Sequence, residues 1–106
     1  VDVNKTNQKN EYPFLVACST GDFAIVKLLY QQRANIFQKD EYHHTALHLA
    51  CHADHAPNLQ VIEFLLKQKI DPNAQNSLRE TALHQAIYCR KKAVKIIQLL
   101  KEHGAD

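Results

Sequence analysis

Apolar residues recur along this chain in short, evenly placed runs. Ile25-Val26 with Leu28-Leu29, Val61-Ile62 with Phe64-Leu65-Leu66, and Ile96-Ile97 with Leu99-Leu100 each fill positions i, i+1, i+3 and i+4. That spacing is one face of a helix with 3.6 residues per turn. Each run follows a segment with a small-residue step, Ala17-Cys18, Ala50-Cys51 or Ala86-Ile87. Each run is closed by Ala34-Asn35, Ile70-Asp71-Pro72-Asn73 or Gly104-Ala105-Asp106, all leading into polar sequence. The pattern predicts helix, short turn, helix and polar excursion, three times over.

The copies are in phase. Thr45-Ala46-Leu47-His48 recurs as Thr81-Ala82-Leu83-His84, an offset of 36, and Tyr12-Pro13-Phe14-Leu15 stands 33 residues before Thr45. Thr45 and Thr81 are suited to N-caps, because a threonine hydroxyl accepts from a backbone N–H of the first helical turn. Alanine and cysteine on the first helix of each unit allow close packing, while the second helix carries the larger aliphatic surface. No single unit buries its own apolar face. Stacked neighbours form one continuous core, with stability close to a sum of nearest-neighbour contributions.

The unit resembles the ankyrin repeat, whose signature of about 33 residues contains Thr-Pro-Leu-His-x-Ala. Thr45, Leu47, His48, Ala50, Leu65, Asp71 and Asn73 match in the middle copy, and Thr81, Leu83, His84, Ala86, Leu99, Leu100, Gly104, Ala105 and Asp106 in the last. The resemblance covers essentially the whole chain. It implies an all-α solenoid of stacked helix–turn–helix units joined by β-turn fingers, with a concave binding face. The expected division is a finger over 1–10, repeats over 11–43 and 44–79, and a repeat over 80–106. Val1-Asp2-Val3-Asn4 resembles the close of a preceding unit, and Asp2 stands ten residues before Tyr12 as in the other copies. Neither end supplies the polar cap that a solenoid needs, so the chain is expected to be an excerpt of a longer array.

Departures from the family pattern carry their own expectations. The family favours glycine at the step after the second helix and in the finger, yet Arg33 and Lys69 stand at the former, and Asn10, His43 and Arg79 at the latter. A non-glycine residue held at positive φ costs on the order of 1 kcal/mol. The middle copy is three residues longer than the first, and Ala53-Asp54-His55-Ala56-Pro57-Asn58 predicts a longer inter-helix loop closed by a helix N-cap at Asn58. Two extra residues in the last copy fall within Cys89-Arg90-Lys91-Lys92.

Composition narrows the function. A net charge of +2, from 13 Lys+Arg against 11 Asp+Glu, is no footprint for nucleic acid. The longest apolar stretches fall far short of the roughly 20 residues that span a bilayer, and no signal peptide is visible. Three cysteines make no disulfide framework, which points to a reducing compartment, the cytoplasm or nucleus. His48, His52 and His55, with Cys51 between, lie close to one helical face. A zinc site of that kind is conceivable, but the family resemblance gives His48 a structural bond to its capping threonine and neighbouring backbone, a role that His84 repeats. Cys18 and Cys51 recur at the repeat period as core packers. Cys89 lies beside the basic cluster Arg90-Lys91-Lys92-Lys95 with no base placed next to it. The cluster reads as a solvated loop. The expectation is no enzyme, no metal and no cofactor.

What the resemblance implies is a protein–protein interaction module, monomeric when isolated, contacting neither nucleic acid nor membrane. The family's variable surface maps onto Gln8, Lys9, Glu11, Ser19 and Thr20 in the first unit. In the second it maps onto Glu41, Tyr42, His44, His52 and Ala53, and in the third onto Ser77, Leu78, Glu80, Tyr88 and Cys89. Tyr42, Leu78 and Tyr88 are the expected anchors, the tyrosines because aromatic residues on polar surfaces concentrate binding energy. The alternative is that this stack is the targeting arm of a larger enzyme or secreted effector whose catalytic domain lies elsewhere.

Overall fold

In a computed structural model that describes residues 4–8, 11–51, 58–87 and 93–105, six helices follow one another: α1 Pro13–Thr20, α2 Phe23–Gln31, α3 Ala46–Cys51, α4 Leu59–Lys67, α5 Ala82–Ile87 and α6 Ala93–Glu102. No strand occurs among the described residues. Consecutive helices pair within a unit, α1 with α2, α3 with α4 and α5 with α6, while α1, α3 and α5 pack in one row and α2, α4 and α6 in a second. Thr45 and Thr81 therefore open equivalent helices in adjacent layers, as their repetition predicts.

The core runs unbroken through the layers. Phe14, Leu47, Ile62, Leu65, Ile96 and Leu100 are fully enclosed, together with Cys18, Cys51, Val26 and Val61. Burying a side chain of this size stabilises by roughly 1.5–3 kcal/mol each. Cys18 and Cys51 sit at the small-residue step where α1 and α3 meet. Between the outer rows, Phe64 stands edge-on to Phe23 at 5.9 Å and to Tyr30 at 5.1 Å, and the Tyr30 hydroxyl reaches Gln68 Oε1 at 3.0 Å.

The helices start and stop for local reasons. Pro13 sits at the start of α1, where its missing N–H costs no helical bond. Asp22 caps α2 by accepting from the N–H groups of Ala24 and Ile25 at 3.1 and 3.3 Å. Asn58 caps α4 through Gln60 N–H at 2.8 Å, and its amide donates to the Gly21 carbonyl of the preceding layer at 3.0 Å. The remainder of the predicted inter-helix loop, 53–57, and the insertion at 89–92 lie outside the described residues.

All three outer helices end alike. Arg33, Lys69 and Gly104 take φ of 68°, 64° and 98°. The residue after each turns its N–H back to the helix: Ala34 to Leu29, Ile70 to Leu65 and Ala105 to Leu100. This is the Schellman closure, in which a left-handed residue brings an apolar follower back onto the last turn. Ala34 and Ile70 are accordingly buried. His43 and Arg79, at φ 63° each, occupy the finger positions that the sequence assigns to glycine. Asn10, the fifth such residue, lies outside the described residues.

Candidate functional site

Three fingers project between the layers, and one device shapes them all. Asp40 Oδ1 accepts from the N–H groups of Tyr42 and His44 at 2.9 and 2.8 Å. Asn76 Oδ1 does the same for Leu78 and Glu80, both at 2.9 Å, and Asn7 Oδ1 accepts from Glu11 N–H at 3.1 Å. Asx side chains close turns this way because their short oxygen reaches the backbone two residues on. Backbone bonds complete each finger: Asn7 N–H to Glu11, Asp40 N–H to His44 and Asn76 N–H to Glu80. A side-chain bond then ties first to last. It joins Asn7 to Glu11 at 3.0 Å and Asn76 to Glu80 at 3.2 Å, while the middle finger uses the pair Asp40–His44 at 2.9 Å. Neither the apolar periodicity nor the family signature singles out Asn7, Asp40 and Asn76. The signal that does is an Asx four residues before Glu11, His44 and Glu80 in every copy.

His48 fastens one layer to the next. Its Nδ1 faces the Thr45 N–H at 3.2 Å and the Thr45 hydroxyl at 2.9 Å. An amide N–H only donates, so Nδ1 is the acceptor and the ring proton sits on Nε2. Nε2 donates to the Glu80 carbonyl of the third unit at 2.7 Å. The Thr45 hydroxyl also accepts from His48 N–H at 3.3 Å, the expected cap. Burial holds the His48 pKa below its ordinary value. With both ring nitrogens engaged, His48 has none for a metal. His52 and His55 lie outside the described residues. His84 makes the same Nδ1 contacts with Thr81, at 3.0 and 3.1 Å, but on an exposed ring.

The predicted surface residues divide by what they do. Glu41 and Tyr42 stand exposed at the tip of the middle finger, and Leu78, 77% exposed, at the tip of the third. Gln8, Glu11, Thr20 and Ser77 are also exposed, and Ser19 is half-buried. His44 is half-buried with Nδ1 occupied by Asp40, and its ring continues a row from Tyr42, 6.1 Å away, to His48 at 5.7 Å. Glu80 turns inward: Oε1 accepts from Asn76 and Gln85, and its carbonyl holds His48. Both residues build the fingers. Lys9, His52, Ala53, Tyr88 and Cys89 lie outside the described residues, as do Arg90, Lys91 and Lys92.

Two hollows flank Tyr42. One, of about 210 Å³, opens between the first and second fingers, with Tyr12, Leu15 and Leu49 as its apolar wall and Glu11, Asp40 and Glu41 among its polar lining. The other, of about 350 Å³, lies between the second and third fingers and is lined by Tyr42, His44, Asn76, Ser77 and Leu78. Tyr42 is common to both. Its backbone is fixed at either side, the N–H on Asp40 Oδ1 and the carbonyl accepting from Ser77 N–H at 2.9 Å.

Cys18 is fully buried, which pushes its thiol far above the ordinary range and keeps it protonated. No helix of the described residues is long and apolar enough to cross a membrane.

Comparison with known proteins bears on the same architecture. A family model described as ankyrin repeats in three copies matches residues 1–76, and a second, for many copies, matches 53–101. Inversin of Canis lupus familiaris is 34% identical over 106 residues, covering 99% of this chain and 9% of inversin. Alpha-latrotoxin-Lg1a of Latrodectus geometricus is 36% identical over 86 residues, 78% of this chain and 6% of the toxin. The putative ankyrin repeat protein YahD of Escherichia coli is 28% identical over 108 residues, covering 99% of this chain and 53% of YahD. The chain thus spans about half of YahD and under a tenth of the two longer relatives.

Proposed function

This chain belongs to the ankyrin-repeat family, and on that premise we propose that it is a non-catalytic module that binds a partner protein across its fingers. Ankyrin repeats are in general protein–protein interaction modules. The observation that carries the reading is the finger face itself. Tyr42 and Leu78 present 58% and 77% of their surface to solvent, yet their backbones are held by Asp40, Asn76 and the Ser77–Tyr42 bond. Apolar side chains carried on a fixed backbone leave less chain entropy to lose on binding, which favours a binding anchor.

The test is retention of proteins from a cell extract by the wild-type chain and by Tyr42→Ala/Leu78→Ala, with the thermal midpoint of each recorded. The reading expects a set of proteins lost from the variant while its midpoint stays within a few degrees. Identical retention by both chains would remove it.

Placement inside a larger enzyme is a second reading, favoured by one comparison. A probable serine/threonine-protein kinase of Dictyostelium discoideum is 31% identical over 102 residues, 94% of this chain but 12% of the kinase. On that reading the stack positions a partner, and chemistry belongs to another part of the protein.

A further inference from the structure

We propose that the hollow between the first and second fingers receives a lysine or arginine side chain of the partner, with an apolar residue of the same segment resting on Tyr42 and Leu78. The proposal rests on the binding-module reading and names the chemistry of the segment bound.

Charge is the first indication. The chain as a whole is slightly basic, at +2. Yet the described residues lining this hollow include Glu11, Asp40 and Glu41 and neither lysine nor arginine. The acidity is therefore local and runs against the balance of the molecule. The three carboxylates are not equally spent. Asp40 is shared among two backbone amides and His44, and Glu11 takes one neutral amide donor from Asn7. Glu41 is exposed and makes no ion pair among the described residues. Among the described residues neither Glu11 nor Glu41 makes an ion pair.

The wall supplies the other half of the fit. Half-buried Tyr12 and Leu49 form an apolar wall, with Leu15, which stands where the second unit has His48, buried behind them. An acidic mouth over an apolar wall suits a side chain with an aliphatic stem and a cationic head. Tyr42 adds a ring face, which attracts a cation within about 6 Å. A carboxylate ligand would meet repulsion at the same mouth. A purely apolar one would leave the carboxylates desolvated and unpaired, which is unfavourable. The second hollow, where Tyr42 meets the freely exposed Leu78, takes the apolar neighbour.

The experiment selects binders to this chain from a phage-displayed library of randomised 12-residue peptides. Selected peptides are then measured by fluorescence anisotropy against the wild-type chain, Glu11→Gln/Glu41→Gln and Tyr42→Ala. The expected result is enrichment of lysine or arginine over the input library and affinity that falls as salt rises. Neutralising the two glutamates is expected to weaken binding roughly two- to fivefold per charge. Replacing the lysine or arginine with norleucine abolishes the response to those glutamates. Peptides that depend on Tyr42 but show no basic enrichment, or bind the double glutamine variant equally well, overturn the cationic proposal and leave the module reading standing. Binders indifferent to Tyr42→Ala, or an empty selection, overturn the proposal too. In that case retention from the cell extract decides the module reading separately.

Discussion

His48 shows how much of this molecule depends on one proton. Its neutral ring accepts from Thr45 and donates to Glu80. A second proton on Nδ1 would point at the Thr45 N–H, donor against donor. Burial, the dominant cause, and the nearby His44 charge lower its pKa, while the Glu80 carbonyl and the carboxylates of Asp40 and Glu80 oppose them. The folded value lies below the ordinary value of about 6.5. The stability this group contributes is therefore complete above about pH 6.5 and is lost as pH falls through the lower folded value. Between about pH 6.5 and that lower value the loss approaches about 1.4 kcal/mol per pH unit for one proton, and below it the loss levels off. Denaturant midpoints measured between pH 7.5 and 5 are expected to fall on the acid side, and His48→Gln is expected to flatten that limb. A midpoint unchanged down to pH 5 would contradict a neutral His48 bridging Thr45 and Glu80. The capping roles of Thr45 and His48 were legible in the sequence because both recur in phase. The Asx residues of the fingers were not, because Asn7, Asp40 and Asn76 differ in charge and look like ordinary loop polarity until the chain is closed around them.

At the scale of the element, the left-handed residues show two effects in competition. Arg33 and Lys69 sit at helix ends, where a basic side chain lies near unsatisfied carbonyls and gains roughly 0.3–1 kcal/mol from the helix dipole. His43 and Arg79 sit in fingers with no helix end to complement. Relief of positive φ by glycine is worth about 1 kcal/mol at all four positions, less a few tenths for the freer unfolded chain. His43→Gly and Arg79→Gly are therefore expected to stabilise by about 0.5–1 kcal/mol, and Arg33→Gly and Lys69→Gly by distinctly less. Chemical denaturation of the four variants at low and high salt checks this, with the helix-end pair catching up as salt screens the dipole. The need for positive φ was readable from register alone, since Gly104 marks the same step in the last copy. The Schellman closure that enforces it involves backbone bonds, which no side-chain pattern displays.

Across the whole molecule, position in the stack decides what equivalent residues are worth. Ile25 and Val61 open corresponding apolar runs on α2 and α4. Ile25 is 46% exposed and Val61 fully buried, because α4 has both α2 and α6 packed against it. Val61→Ala removes fewer carbons than Ile25→Ala, yet it is expected to cost about 1.5–3 kcal/mol against less than about 1 kcal/mol for Ile25→Ala. Thermal or urea melts of the two variants give the comparison, and equal losses would mean that the layers do not stack as described. The sequence could not have ranked them, for the repeat prints one apolar pattern in every layer and exposure is settled by neighbours. The same holds for the hollows: Tyr42 and Leu78 were visible as apolar residues in polar surroundings, but that two cavities share one ring was not. With both its amide and its carbonyl anchored, Tyr42 can respond only by turning about its side-chain torsions. On the proposed binding reading, a side chain that fills one hollow and turns this ring would reshape the other, so the finger face would read adjacent side chains jointly, as a two-letter word.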